Sequence, residues 1–229
     1  MSGFGDAAAG FGGLAWEIGE PGALLLSRGQ ARPATFAIEQ GGDAATLAIS
    51  AGDDTVEATL IARSAELALT DGPTVTPCSA EVRSVGGNQT FRCFGGIARW
   101  SGDPLEGAAV FRQLTVEAGD DTLLVGTARG EPGVAGHGDE SVLGWRIDGE
   151  QATPFEESLI TTQYASGGDP TRIGLELWPR DVDQASRAGA VRVAGSLLGG
   201  VRAGGIWAGL FRCHTDGAEG LGTYLLWRS

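Results

Sequence analysis

The chain has no lysine: all sixteen of its basic residues are arginine, against 29 aspartate and glutamate residues. The absence of lysine excludes Schiff-base chemistry and a Walker-type phosphate loop, since both require that side chain. The resulting net charge of −13 argues against nucleic-acid binding, which depends on neutralising phosphates, and against an anionic membrane surface. We therefore expect neither a nucleic-acid partner nor a membrane partner.

Cysteines and long apolar runs are also scarce. The three cysteines, Cys78, Cys93 and Cys213, are too few for a disulfide scaffold and lack zinc-site spacing. We expect thiols, and a Cys93–Cys213 bridge stays open. No apolar run approaches the roughly 20 residues that span a bilayer, and residues 1–13 lack the features of a secretory signal. These absences predict a soluble, cytoplasmic protein.

Glycine-rich patterns of the dinucleotide-binding kind are missing, although glycine itself is abundant with 39 residues. No such pattern lies between a strand and a helix with the required spacing, so we expect no cofactor. Glycine and proline instead mark turns at short intervals, for example at 41–43, 52–54 and 119–121. Between the turns lie short runs with alternating apolar residues, such as Ile173, Leu175 and Leu177. This pattern predicts an all-β, antiparallel sandwich or barrel.

Residues 57–70 are ambiguous, because their alanine, leucine and glutamate content favours a helix while the alternation of Leu67 and Leu69 favours a strand. We favour a strand. The tripeptide Phe-Arg-Cys occurs at 91–93 and again at 211–213, and a self-similarity of this kind indicates an internal repeat. We therefore predict two tandem β units, 1–118 and 119–229, that pack together so that each covers the other's open edge.

The second Phe-Arg-Cys copy would form a two-sided strand, because successive side chains in a strand point to opposite faces. Phe211 and Cys213, with Trp207, would line one face, and Arg212 the other. Arg212 is then either a surface residue or, in a barrel whose interior carries it, an anchor for a ligand. Trp207 and Tyr164 are further candidate ligand-binding residues, Tyr164 as a hydrogen-bond donor in a pocket, the alternative for Tyr164 being placement in the core or at a rim.

The two histidines of the chain both occur as His-x-Asp, at His137/Asp139 and at His214/Asp216. On an extended chain this spacing places the imidazole and the carboxylate on one side, which suits an acid–base group held in one tautomer. Two such pairs brought together could instead bind a divalent metal, or each could be a solvated turn residue. We expect no metal site and retain acid–base chemistry as the hypothesis.

Adjacent carboxylates at Glu156 and Glu157 precede a strand-like run that ends at Tyr164. Neighbouring residues of a strand point to opposite faces, so at most one of the two would face a cavity. Burial would raise the pKa of that carboxyl group, which could then protonate an alkene or a carbonyl. We take Glu157 as a candidate catalytic residue, the alternative being a solvated pair.

Three features together resemble a known superfamily: tandem β units of this length, His-x-Asp at 137–139, and Gly-Leu-Gly-Thr-Tyr at 220–224 before the terminal strand. They are similar to two-domain lipocalin-like proteins, which include carotenoid hydratases of the hydroxyneurosporene synthase type and terpenoid-cyclising or Diels–Alder enzymes. The resemblance implies a pocket within or between the β units for an apolar terpenoid or polyketide. The chain is shorter than typical members, which implies trimmed or open barrels, and no catalytic motif is carried over.

Three functions remain open. The first is a lipocalin-like protein that binds or transforms a hydrophobic small molecule, as a cyclase or hydratase would, by acid–base chemistry of the histidines and carboxylates. The second is a carrier without catalysis, and the third is a structural or interaction protein without a cavity. Fold alone does not separate them. A homodimer is also left open.

Overall fold

The computed structural model describes residues 1–6, 11–17, 21–27, 30–41, 44–84, 90–104, 106–118, 122–131, 140–179, 190–203, 205–215 and 217–228. Within these ranges every regular element is a β-strand, which confirms the predicted all-β fold. The described residues contain no helix that could span a bilayer.

The first sheet is a closed barrel. β6 pairs with β5 on one side and with β8 on the other, and β9 pairs with β1, so eight strands form a ring. Ring neighbours are also neighbours along the chain, apart from the closing pair β1 and β9 and from β7, a two-residue strand that pairs with β8 beyond the end of β6. The barrel is therefore of the up-and-down type. The strands are β1 (Ser2–Asp6), β2 (Phe11–Trp16), β3 (Gly22–Ser27), β4 (Gln30–Gly41), β5 (Ala44–Ala51), β6 (Asp54–Ala62), β7 (Leu67–Ala68), β8 (Thr74–Ser84) and β9 (Thr90–Arg99).

The second sheet is antiparallel and curls into a half-barrel. Its order is β13-β12-β11-β10-β18-β17-β16-β15-β14, so that β13 and β14, consecutive in the chain, form its two edges. The strands are β10 (Val110–Ala118), β11 (Thr122–Gly130), β12 (Ser141–Asp148), β13 (Gln151–Pro154), β14 (Glu157–Tyr164), β15 (Pro170–Trp178), β16 (Val191–Ala203), β17 (Ile206–Thr215) and β18 (Ala218–Arg228).

The two edges of the second sheet meet beside Gly144 of β12. The Phe155 N–H donates to the Gly144 carbonyl at 3.0 Å and so continues the pairing of β12 with β13. A Cβ atom at Gly144 would overlap the side-chain ends of Leu177 and Ser158, which would have to shift. The half-barrel is therefore closed at this point by side-chain packing, and no strand ladder joins β13 to β14 among the described residues.

Alternation along each strand separates the two faces of the first sheet. In β5 the odd residues Ala45, Leu47, Ile49 and Ala51 are buried inside the barrel, and the residues between them are partly exposed. The ambiguous stretch 57–70 contains the end of β6 and the short β7, so the strand interpretation is correct for 57–62 and 67–68. Because β10 already belongs to the second sheet, the chain passes between sheets after Arg99 and before Val110, upstream of the predicted boundary at 118/119.

The two units pack together through apolar side chains, as predicted. One cluster joins Leu14 and Leu24 of the first barrel to Leu210 and Leu225 of the second sheet, all of them without solvent exposure. A second cluster joins Leu69, Val75 and Ala98 to residues of β11 and β12, among them Trp145. These contacts make the two sheets one packed body.

The Phe-Arg-Cys copies lie on β9 and on β17. In the second copy Phe211 and Cys213 are buried and Arg212 is exposed, as strand alternation requires. β9 is the last strand of its sheet, whereas β17 is followed by β18, so the two copies occupy different places in the strand order. All three cysteines are free thiols.

Candidate ligand-binding site

The first barrel is open at one end, where a pocket of about 270 Å³ lies. Its floor is formed by inward-facing core residues of four strands, namely Ala45, Leu60, Cys78 and Ile97. Its rim is formed by residues nearer the strand ends and by the segment after β6: Gln40, Ala62, Ser64, Glu66, Thr76 and Arg99. We call this site the mouth pocket. Its apolar floor and polar rim are the usual combination in small-molecule sites.

Small side chains are the reason that the pocket is empty of protein atoms. The lining includes Ala44, Ala45, Ala62 and Ala65, whereas the barrel interior further from this end is filled by larger residues such as Phe4. Barrels of eight strands are just wide enough either to fill with side chains or to hold one small ligand. Alanine at the mouth therefore favours the second alternative at this end.

The segment after β6 is held against the barrel at the rim. The Arg63 N–H donates to the Pro77 carbonyl at 2.9 Å, and the Ser64 hydroxyl donates to the Ala65 carbonyl at 3.2 Å. Glu66 then accepts from the Arg99 guanidinium at 3.4 Å. This segment thereby places a carboxylate beside the end of β9, at the entrance of the pocket.

Cys78 on the pocket floor is a neutral thiol. Burial raises the pKa of Cys78 to about 11, and the nearby Arg99 charge only partly opposes this effect. The thiol donates to the Thr76 carbonyl at 3.4 Å. Since the thiolate is the nucleophilic form of cysteine, Cys78 at neutral pH is an apolar group of the pocket floor and not a nucleophile.

A second polar arrangement lies inside the half-barrel, around Arg112 of β10. Its guanidinium forms an ion pair with Glu140, and both side chains have no solvent exposure. Arg112 Nη1 donates to the Ile160 carbonyl at 3.1 Å and to the Thr162 hydroxyl at 3.2 Å. Arg112 thus connects β10 with the edge strand β14 and with the residue that precedes β12.

Tyr224 of β18 extends this cluster. Its hydroxyl lies 3.0 Å from the Thr162 hydroxyl, and its ring packs at 6.0 to 6.1 Å between centroids against Phe211 and Trp207. Burial raises the pKa of Tyr224 to about 12, although the Arg112 charge and the Thr162 hydrogen bond lower it. The cluster is a satisfied cross-link in an apolar interior, apart from Arg112 Nε, which has no partner among the described residues.

A smaller hollow of about 150 Å³ lies at one end of the second sheet. It is lined by core residues Leu124 and Val191 and by Arg146 and Thr215. The mouth pocket offers the larger volume of the two, so it is the better candidate site.

Of the predicted catalytic residues, Glu157 and His214 are described, and both are exposed. Glu157 begins β14 and His214 lies near the end of β17, with two strands between them. At the usual strand spacing they are therefore at least about 14 Å apart. His137, Asp139 and Asp216 lie outside the described residues. The catalytic role of these five residues stays a prediction.

The predicted ligand-binding residues lie apart from one another. Arg212 is exposed and pairs with Glu219 at 3.1 Å. Tyr164 is partly buried, with the Arg228 guanidinium 4.6 Å from its ring centroid. Trp207 is buried in the interior of the half-barrel. None of these three lines the mouth pocket.

Sequence analysis did not single out the mouth pocket or the Arg112 cluster. The inward face of β9 was open to inference, because Cys93, Gly95, Ile97 and Arg99 share one face by alternation. The approach of Arg99 to Glu66 depends on the pairing of β8 with β7 on one side and with β9 on the other, which no local pattern specifies. Arg112 lies between Phe111 and Gln113, both buried on the other face, so alternation alone gave no signal for an inward arginine.

No protein-family model and no curated protein sequence matches this chain significantly. Among solved structures, the chain is similar to one described as the crystal structure of CghA with Sch210972. The two share 10% sequence identity with a TM-score of 0.43, over 97% of this chain and 71% of that chain.

Proposed function

We propose that this protein binds a small, mainly apolar molecule in the mouth pocket of its first barrel. The observation that carries the proposal is the pocket of about 270 Å³ with an apolar floor and a polar rim. This volume is close to the lower end of the range for small-molecule sites, roughly 300–1,000 Å³. A ligand the size of a ten-carbon terpenoid suits it, which keeps the predicted terpenoid class within the proposal.

Binding without catalysis is the form of the function that the pocket residues support. The titratable groups that line it are Cys78, Glu66 and Arg99. Cys78 is a neutral thiol, and Glu66 and Arg99 are engaged with each other at the solvent-exposed rim. A general acid or base works best with a pKa near the working pH in a site that excludes water. The carotenoid hydratase type of activity, and with it acid–base chemistry, stays a prediction.

Calorimetric titration of the full chain with geraniol and with geranate tests the proposal. We expect saturable binding of at least one of them. Ala62→Phe places a ring in the pocket and should weaken binding at least about tenfold, the loss expected when a ligand's apolar contacts are replaced by a side chain. Ala194→Phe makes the same change at an exposed position of β16 and should leave binding as in the wild type. Absence of saturable binding of both compounds would overturn the proposal.

A further inference from the structure

Arg99 faces into the barrel. It is two residues beyond Ile97 and six beyond Cys93, both of which pack in the barrel interior, and residues at even spacing share one face of a strand. It is also the last residue of β9. Its side chain therefore belongs to the outermost inward-facing layer, directly above the apolar floor of the mouth pocket.

The other strand residues of this layer are uncharged. Gln40 of β4, Ala62 of β6 and Thr76 of β8 are the corresponding positions. Among the residues that line the mouth pocket, Arg99 is the one charged residue that a strand supplies, whereas Glu66 comes from the segment between β6 and β7. The barrel framework thus fixes a cation at the entrance, and a connecting segment supplies its present partner.

The ion pair between Arg99 and Glu66 is weak enough for another carboxylate to replace Glu66. The two side chains are 43% and 51% exposed, and the shortest distance between them is 3.4 Å. Ion pairs with this exposure contribute little, because water screens the charges and both side chains lose freedom. A carboxylate brought by a ligand could form shorter and paired hydrogen bonds with the guanidinium, which is the geometry that arginine favours.

We infer that the ligand is an amphipathic acid, whose carboxylate replaces Glu66 at Arg99 while its apolar body lies on Leu60, Cys78 and Ile97. This inference rests on the proposed function and specifies the class of ligand. An acid is not the ligand that the net charge of the protein favours, because a net charge of −13 attracts cations and repels anions. Preference for an acid over an amine must therefore arise from the local arginine.

Three ligands with one carbon skeleton test the inference: geranate, geraniol and geranylamine, each titrated calorimetrically into the full chain at neutral pH. We expect geranate to bind about tenfold more tightly than geraniol, the equivalent of one charge-assisted hydrogen bond at a half-exposed site. Geranylamine should bind most weakly. The preference for geranate should decrease with added salt, since the charges are exposed.

Two variants and one control test whether Arg99 causes the preference for geranate. Arg99→Gln should abolish it, and Glu66→Gln should increase geranate affinity by removing the competing carboxylate. Arg32→Gln removes a comparably exposed arginine, paired with Asp54, eight residues from Gln40 along β4 and so roughly 25 Å away; it should keep the wild-type preference.

The outcomes separate the inference from the proposed function. Equal binding of geraniol and geranate, or tighter binding of geranylamine, would overturn the inference that the ligand is an acid. The mouth pocket would then remain a binding site. A preference that survives Arg99→Gln would also overturn the inference. If none of the three compounds binds, the proposed function fails with it.

Discussion

Arg112 and Glu140 form an ion pair in which neither side chain is exposed to solvent. The pair lies inside the half-barrel, where the Arg112 guanidinium also donates to the backbone of β14. Removing one partner of a buried pair costs more than removing both, because the remaining charge stays in an apolar environment. The pair therefore makes a specific prediction about stability.

Arg112→Met should lower the free energy of unfolding by about 3–5 kcal/mol, because it removes the cation from a fully buried carboxylate. The double variant Arg112→Met/Glu140→Leu should be more stable than Arg112→Met alone. Urea denaturation followed by circular dichroism measures both. Arg146→Met, which breaks an exposed pair with Asp148, is the matched control and should cost less than about 1 kcal/mol. Equal losses in the single and double variants would contradict the role given to the buried charge.

The pKa of Tyr224 predicts a loss of stability in alkali. Burial raises this pKa from 10.0 to about 12 in the folded protein, so the folded state holds the proton more tightly than the unfolded state does. The resulting stabilisation is complete below pH 10 and is lost as the pH rises through 12, by about 2–3 kcal/mol in total. Unfolding free energies measured at pH 9.5 and at higher pH should show this decrease.

Tyr224→Phe supplies the comparison, because phenylalanine does not titrate. The difference in stability between the wild type and Tyr224→Phe should become smaller, or change sign, between pH 10 and 12. The chain has no lysine, so lysine titration does not obscure this range. Parallel pH curves for the two proteins would show that Tyr224 ionises as it does in water.

Adding one methyl group at Gly220 should strongly reduce the stability of the folded protein. A Cβ atom at this position of β18 would overlap the backbone carbonyl oxygen of Glu117 on β10, and backbone atoms within paired strands cannot move aside cheaply. Gly220→Ala should therefore destabilise the protein by about 3 kcal/mol or more. Gly102→Ala is the control, since nothing lies within 4 Å of its Cβ position. Thermal unfolding followed by calorimetry distinguishes the two, and similar melting temperatures would contradict the clash.

The apolar contact between the two units predicts cooperative unfolding. Leu210 of β17 is fully buried in the cluster that also holds Leu14 and Leu24 of the first barrel. Leu210→Ala should cost about 2–5 kcal/mol, the usual range for a buried leucine. Calorimetry should show one transition at a lower temperature. A new second transition would mean instead that the units unfold independently once this contact is weakened.

Much of the fold could be predicted because its signals are local. Turns at short intervals and apolar alternation, as in Ile173, Leu175 and Leu177, specify antiparallel strands without knowledge of their partners. The same alternation correctly placed Phe211 and Cys213 inside and Arg212 outside. Even the ambiguous residues 57–70 follow the strand pattern where they pair with β8.

The candidate site could not be predicted in the same way, because it depends on pairings between distant segments. Arg99 and Glu66 are 33 residues apart in the chain, and they meet because β7 and β9 pair with β8 on its two sides. Arg112 faces inward beside Phe111, which faces the other unit, so polarity does not reveal which face is which. The position before Val110 at which the chain passes from the first sheet to the second could not be predicted for a similar reason. The residues of β10 are typical of a strand in either unit.

The pairing of β6 with β8 leaves residues 63–73 outside the ring of strands, although they carry Ser64 and Glu66 at the rim of the mouth pocket. Barrel closure and rim chemistry are consequently encoded by different parts of the sequence. Under the proposed function, mutation within 63–66 would change which molecules the mouth pocket admits without disturbing the ladder that holds the barrel together. The scaffold could then acquire new ligands, by evolution or by redesign, while its closure is inherited unchanged.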